Sequence, residues 1–426
     1  MIDLQKMKVS EILYWFSILL ITIICCSGMS LLMPFRVYII GIFGVCMYMW
    51  AIIKRKNILI HPISLAIVLF TIMIIVGIFF SLNTVETIKF GMVYLCLLPL
   101  LIFKMESQWL HKLTDFFRFT TLFVAVTIII NSLIPDLFLN KLNFLIRPGL
   151  QSWLRVEIES GFYSGIAGEK GEAATLMVIG VALGLGKLVK DEKITIVNLF
   201  YILITLIALM LPAKRTLFVI GCFFIVIYIL GWTNKDKKAI AVAVCFLTLI
   251  ICVIFSDYIP GAQILIERLT ETKADESLNG RSYLWERAIQ MYRNKPIFGY
   301  GYGSYNTFAS YYGVRTSASG AWSFHAHNIY LQLLAEMGTI GFSIILFILF
   351  ISSYFLIKLH NVRYKLKQDD KGLLIFSECM LTCYVLYGFT GNSLYSTNQL
   401  ALFMVTLAYV IYLYRKYFPR RKNTVI

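Results

Sequence analysis

The sequence predicts an all-α integral membrane protein of about 12 transmembrane helices, with a large extracytoplasmic loop that carries amphipathic helices. Three observations predict it. Hydrophobic residues make up 59% of the 426 positions, against roughly 45–50% in a soluble domain, and the mean hydropathy is +0.77. The apolar residues fall into runs of about 17–25, the length that crosses a hydrocarbon core of about 30 Å. Of the 39 lysines and arginines, 24 fall in every second loop, the pattern of cytoplasmic loops.

Taken in order, the runs lie near 11–29, 35–53, 62–81, 88–103, 116–134, 173–189, 194–212, 216–232, 239–256, 329–357, 373–390 and 398–414. The first reads as a retained span, because no small-x-small cleavage site follows it. The basic loops hold Lys54, Arg55 and Lys56, then Lys104, Lys112 and Arg118, then Lys187, Lys190 and Lys193, and so on to the tail with Arg420 and Arg421. Both termini are therefore expected in the cytoplasm of a multi-pass inner-membrane protein. The other side receives turns at 31–34 and 81–86, a segment at 135–172, a tight turn at 211–216, a loop at 257–328 and the turn "GNSLYS". Three parts follow: 1–256 with nine spans, the extracytoplasmic loop 257–328, where the chemistry is expected, and 329–426 with three spans and a basic tail.

Some function classes drop out. All nine cysteines lie in apolar stretches without metal-ligand spacing, and read as small core residues. The net charge of +16 does not point to nucleic acid, since no soluble basic domain presents it.

The candidate functional residues are expected on the outer side. In "LPAKRT", Lys214 and Arg215 occupy a short translocated turn, where cations are disfavoured. They either snorkel to headgroups or hold an anion, for which the arginine fork suits phosphate oxygens. In "NGRSYLWERAIQMYRN", Leu284, Ala288 and Tyr292 recur at helical spacing, and Asn279–Gly280 predicts a helix start. Arg281 would then sit in the first turn, where the dipole disfavours a cation; a bound anion or Glu276 would relieve the conflict.

Gly299, Gly301 and Gly303 alternate with Tyr300 and Tyr302. This GxGxG follows a helix, so it is no dinucleotide fingerprint; it reads as a loop able to bring its backbone close to a bulky ligand. The tyrosines would flank a sugar or form an interfacial belt. Two of the five histidines, His325 and His327, precede Asn328 at the mouth of a span. With no third histidine or cysteine on that face, general-base work or anion binding is more economical than a metal site.

His327 and Asn328, followed by nine residues and then Gly338 and Gly341, resemble the His-Asn-x9-Gly-x-x-Gly motif of the O-antigen ligases and the related O-antigen or capsular-polysaccharide polymerases. "GYGYGSYNTF", "NGRSYLWERAIQMY" and "PAKRT" are similar to the family's Gly-rich turn, Gly-Arg helix and basic outer turn, so the resemblance covers about 211–342. It implies metal-independent glycan transfer, without a cofactor, at the outer face of the cytoplasmic membrane. The donor would be an oligosaccharide on undecaprenyl diphosphate. The acceptor would be a lipid-linked repeat unit for a polymerase, or the lipid A core for a ligase; membrane lipid and a chain-length regulator protein would be further partners.

In that scheme Arg215 and Arg281 stabilise the departing diphosphate, and Lys214, His325, Asn328, the three glycines and the two tyrosines bind substrate. His327 takes the acceptor proton, with Asn328 or His325 orienting it. Alternatively His327 donates to the diphosphate and an outer carboxylate, Glu159, Glu169 or Glu172, is the base. "YGFTGNSLYS" (387–396) resembles a stretch of polymerase-type members and favours polymerisation. A lipid-linked oligosaccharide flippase also has about twelve spans, but it would need ionisable residues near the midplane, whereas the marked residues gather at one face.

Overall fold

The computed structural model describes residues 2–192, 195–233, 262–270, 274–311 and 325–419. Numbering the longer helices in chain order gives α1 (Ile2–Cys26), α2 (Arg36–Ile53), α3 (Pro62–Gly77), α4 (Thr84–Leu97), α5 (Ser107–Leu133), α6 (Pro148–Glu159) and α7 (Lys170–Asp191). They continue with α8 (Ile196–Met210), α9 (Arg215–Trp232), α10 (Ala274–Asn294), α11 (Ile329–Asn361), α12 (Gln368–Tyr387) and α13 (Thr397–Tyr417). The fold is all-α, with no strand among the described residues. A helix lies at each expected span except 239–256, which falls outside the described residues. By length and apolarity eight of these segments can cross a membrane, and α3 and α8 are shorter apolar helices. The α12 helix carries Asp369, Asp370, Lys371 and Glu378 along its otherwise apolar length.

The core forms around α7, whose apolar window is 94% buried. Its sequence, rich in glycine and alanine, suits close approach of neighbouring backbones, the usual basis of tight helix packing in lipid. At the crossing with α12, a Cβ on Gly186 would lie 2.9 Å from the Gly372 carbonyl oxygen, and one on Gly372 would lie 2.8 Å from that of Gly186. Only glycine at both positions permits this contact.

The two ends of the bundle collect the two sets of loops that the charge pattern separates. At one end Lys56 pairs with Glu106 at 2.9 Å, Lys190 with Asp369 at 2.8 Å, and Lys416 with the fully buried Asp370 at 2.6 Å. At the other end Gly168 packs on Ser30, Gly301 on Ser81, and Tyr163 N–H donates to the Leu211 carbonyl at 3.2 Å. Turns 31–34 and 81–86, segment 135–172 and turn 211–216 therefore meet there, and α11 begins beside them.

Candidate active site

The start of α11 is fixed by its own sequence. Asn328 is the N-cap, and its side chain accepts from Tyr330 N–H at 3.0 Å and Leu331 N–H at 3.1 Å, as expected of asparagine at this position. Asn328 thus serves the helix start. Ile329 N–H donates to the Gly388 carbonyl at 2.8 Å. Between these anchors His327 has φ +48°, a left-handed conformation that costs a non-glycine residue free energy and persists only where its surroundings hold it.

The His327 side chain is exposed, and its Nδ1 accepts from the Asn392 amide N–H at 3.3 Å. Surrounding protein that displaces water, and then the cations Arg281 and Lys214, lower its pKa to about 4. His325 is also lowered to about 4, by burial and by facing His327, with Lys89 adding to this. Its Nδ1 accepts from Gln332 Nε2 at 3.2 Å, and its ring tilts against Tyr395. Both imidazoles are neutral at pH 7.

The structure brings together His327, Arg281 and Lys214. Arg281 reaches this place differently from the sequence expectation: α10 begins at Ala274, so Arg281 is not in a first turn and no helix dipole acts against it. Lys214 and Arg215 do stand at a helix start, with Lys214 the N-cap of α9 and Arg215 its first residue. Ala213 before them is buried with φ +49°, a tight, strained entry to the helix.

The Gly-rich loop packs against a break in α11. The α11 helix is broken at Gly338 (φ +61°, ψ −170°), and the polar groups freed there bond to the loop. Thr339 N–H donates to the Pro296 carbonyl at 2.8 Å, and Gly301 N–H to the Glu336 carbonyl at 2.8 Å. A Cβ on Gly299 would lie 2.2 Å from the Glu336 carbonyl oxygen, and one on Gly338 would lie 2.3 Å from that of Ile297. The first glycine of the Gly-x-x-Gly pair and the GYGYG loop therefore interlock. The fully buried Glu336 carboxylate completes the joint, accepting from Gly303 N–H at 2.7 Å, Tyr305 N–H at 2.8 Å and Gln332 Nε2 at 3.2 Å.

Gly299, Gly301 and Gly303 pack on protein backbone and side chains. Tyr302 is fully buried, stacks on Tyr395 at 4.7 Å and donates to the Leu394 carbonyl at 2.8 Å. Tyr300 lies against Phe308, with Lys295 Nζ 4.4 Å from its ring centre.

Beyond Lys214 stands a wall of carboxylates. Glu172 pairs with Arg36 at 3.4 Å and accepts from Asn398 at 2.7 Å. Glu157 accepts from Trp153 and from Lys170 N–H, both at 3.1 Å. Glu169, the N-cap of α7, is surface-accessible. Partial withdrawal from water raises it to about 7, with Glu172 and Glu157 adding to the effect and Lys214 and Arg36 opposing it. Glu159 is exposed at the end of α6.

Sequence reasoning passed over Arg36, Asn392 and Glu336. Arg36 carries the signal used for Lys214, a cation beside a short outward turn. Glu336 is an acid within an apolar run, which marks a functional or structural role by itself.

A multi-pass helical membrane protein with cations, carboxylates and neutral histidines gathered at one end of its bundle is the class these features define. Residues 200–361 match the family described as O-Antigen ligase. This stretch, which holds Lys214, Arg215, Arg281 and His327, is the part of the chain that is similar to that family. It is also 31% identical over 91 residues to the exopolysaccharide production protein ExoQ of Rhizobium meliloti (strain 1021). That alignment covers 19% of this chain, and this chain spans 19% of the relative's length.

Proposed function

We propose that the protein transfers a glycan from an undecaprenyl-diphosphate-linked donor to a sugar hydroxyl at the outer face of the cytoplasmic membrane, joining repeat units into a polysaccharide. The observation that carries this reading is the His327 ring, held on a strained backbone near Arg281 and Lys214. The donor needs no activation by nucleotide, since its anomeric carbon already bears a diphosphate. What it needs is fixed positive charge where the leaving group gains negative charge. Arg281, Lys214 and Arg215 supply that charge, and the basic loops at the opposite end of the bundle support an outward-facing site.

Of the two roles the sequence leaves to His327, the geometry favours the donor. Asn392 occupies the Nδ1 lone pair, which leaves the neutral ring's proton on Nε2. A ring lowered to about 4 is a weak proton acceptor at pH 7, but its N–H can bond a departing phosphate oxygen.

The relative's name, an exopolysaccharide production protein, favours polymer formation over attachment to the lipid A core. Purified protein given lipid-linked repeat units, with and without a lipid A core acceptor, tests both readings. Polymer made without the core supports polymerisation, and product formed only with the core supports ligation. His327→Ala and Arg281→Ala are expected to stay folded and lose transfer; full transfer by both would overturn the proposal.

A further inference from the structure

We propose that Glu169, which borders Lys214, is the group that takes the proton of the acceptor hydroxyl. This rests on the transfer reading above and assigns its missing base. Of the three outer carboxylates that reading offers, Glu172 is held by Arg36 and Asn398, and Glu159 is exposed at a helix end. The neighbouring Glu157 is held by Trp153 and the Lys170 backbone. The Glu169 carboxylate forms no hydrogen bond or ion pair among the described residues and is surface-accessible.

Its position also fits. A Cβ placed on Gly171 would lie 3.2 Å from Glu169 Oε1 and 3.9 Å from Lys214 Nζ, so the carboxylate and the ammonium border one small space. Lys214 in turn faces the His327 ring. The charged and titratable groups around Glu169 are Glu172 on α7 itself, Glu157 on α6, Lys214 at the start of α9, Arg36 on α2 and Tyr387 on α12. Together they leave it near 7 while His327 lies near 4. A base works best with a pKa close to the operating pH, so between these two groups the proton goes to the carboxylate.

The step balances. The acceptor O–H bond breaks and its proton goes to a Glu169 oxygen, while the acceptor oxygen forms a bond to the anomeric carbon. The bond from that carbon to the diphosphate oxygen breaks, and its electron pair leaves on the diphosphate, bonded by Lys214, Arg281 and the His327 Nε2–H. Glu169 then returns its proton to water.

The test uses the purified full chain, lipid-linked repeat units from the organism that makes it, and undecaprenyl diphosphate as a binding probe. Glu169→Gln should slow transfer by on the order of 10²–10⁴-fold and bind undecaprenyl diphosphate no more weakly than the wild type. The wild-type rate should rise with pH through about 7, and this limb should vanish in Glu169→Gln. Formate should restore part of the activity of Glu169→Ala, an effect that loss of a purely structural carboxylate would not give. A wild-type rate and pH profile in Glu169→Gln, with His327→Ala and Arg281→Ala inactive, would overturn the role of Glu169 and leave the transfer reading standing. Failure of formate to restore a monodisperse Glu169→Ala protein would also overturn it. If the wild type transfers nothing from any lipid diphosphate, the transfer reading falls first.

Discussion

Glu336→Ala should be among the most destabilising single changes at this end of the bundle. The side chain is fully buried, and its two oxygens accept from the Gly303 and Tyr305 backbones at 2.7 and 2.8 Å and from Gln332 at 3.2 Å. Alanine removes all three hydrogen bonds at once. The Gln332 amide can turn to His325, but the two backbone N–H groups have fixed directions. At about 1–3 kcal/mol for each buried donor left unpaired, the change costs about 2–6 kcal/mol. That is a large share of the roughly 5–15 kcal/mol that holds a typical protein folded. Glu336→Gln keeps one acceptor oxygen and turns an amide N–H toward the other donor, so its cost should be about 1–3 kcal/mol. Thermal unfolding in detergent, followed by helical circular dichroism, should rank wild type above Gln and Gln above Ala. The alanine variant should melt lower by on the order of 5 °C or more. An alanine variant that melts with the wild type would refute the claim that this carboxylate joins the Gly-rich loop to the break in α11.

Gly338→Ala should also loosen this joint, since its Cβ would meet the Ile297 carbonyl at 2.3 Å with φ at +61°; faster proteolysis within 296–303 would report it. Arg281→Gln removes one of the cations facing His327, so the ring should titrate above its present value of about 4; NMR of labelled histidine reads this, and an unchanged pKa would separate the two residues. His325 and His327 both lie below the ordinary histidine value of about 6.5. The stability tied to their neutral forms is therefore present above about 6.5 and lost as pH falls toward about 4. Melting temperature in detergent should fall across that window, and His325→Gln should flatten the fall. Transfer should persist after exhaustive chelation, and its loss with rescue by a divalent ion would overturn the metal-free scheme.

Helices of lipid-crossing length are legible in a sequence because the bilayer imposes one requirement on every residue of a span, and composition records it directly. The same holds for Lys214, Arg215 and His327, which stand out because lipid and translocation disfavour them where they occur. What the sequence hides is which of two surfaces a permissive residue serves. Gly299, Gly301 and Gly303 have the conformational freedom of a ligand-binding loop, but the same freedom lets them close against the broken helix at Gly338. No local pattern separates these uses, because the partner lies more than thirty positions away in the chain. Arg281 was misjudged for a related reason. Asn279 and Gly280 are good helix-start residues, but α10 already runs from Ala274, and a local preference gave way to the longer helix.

The carboxylates show the limit most clearly. Glu157, Glu169 and Glu172 are three similar acids within sixteen residues, and only their distant partners tell them apart. Arg36 and Asn398, from opposite ends of the chain, engage Glu172, and Trp153 engages Glu157. The acid left unbonded is the one beside Lys214. The chemistry proposed here thus depends less on which residues are present than on which of them the fold leaves unsatisfied.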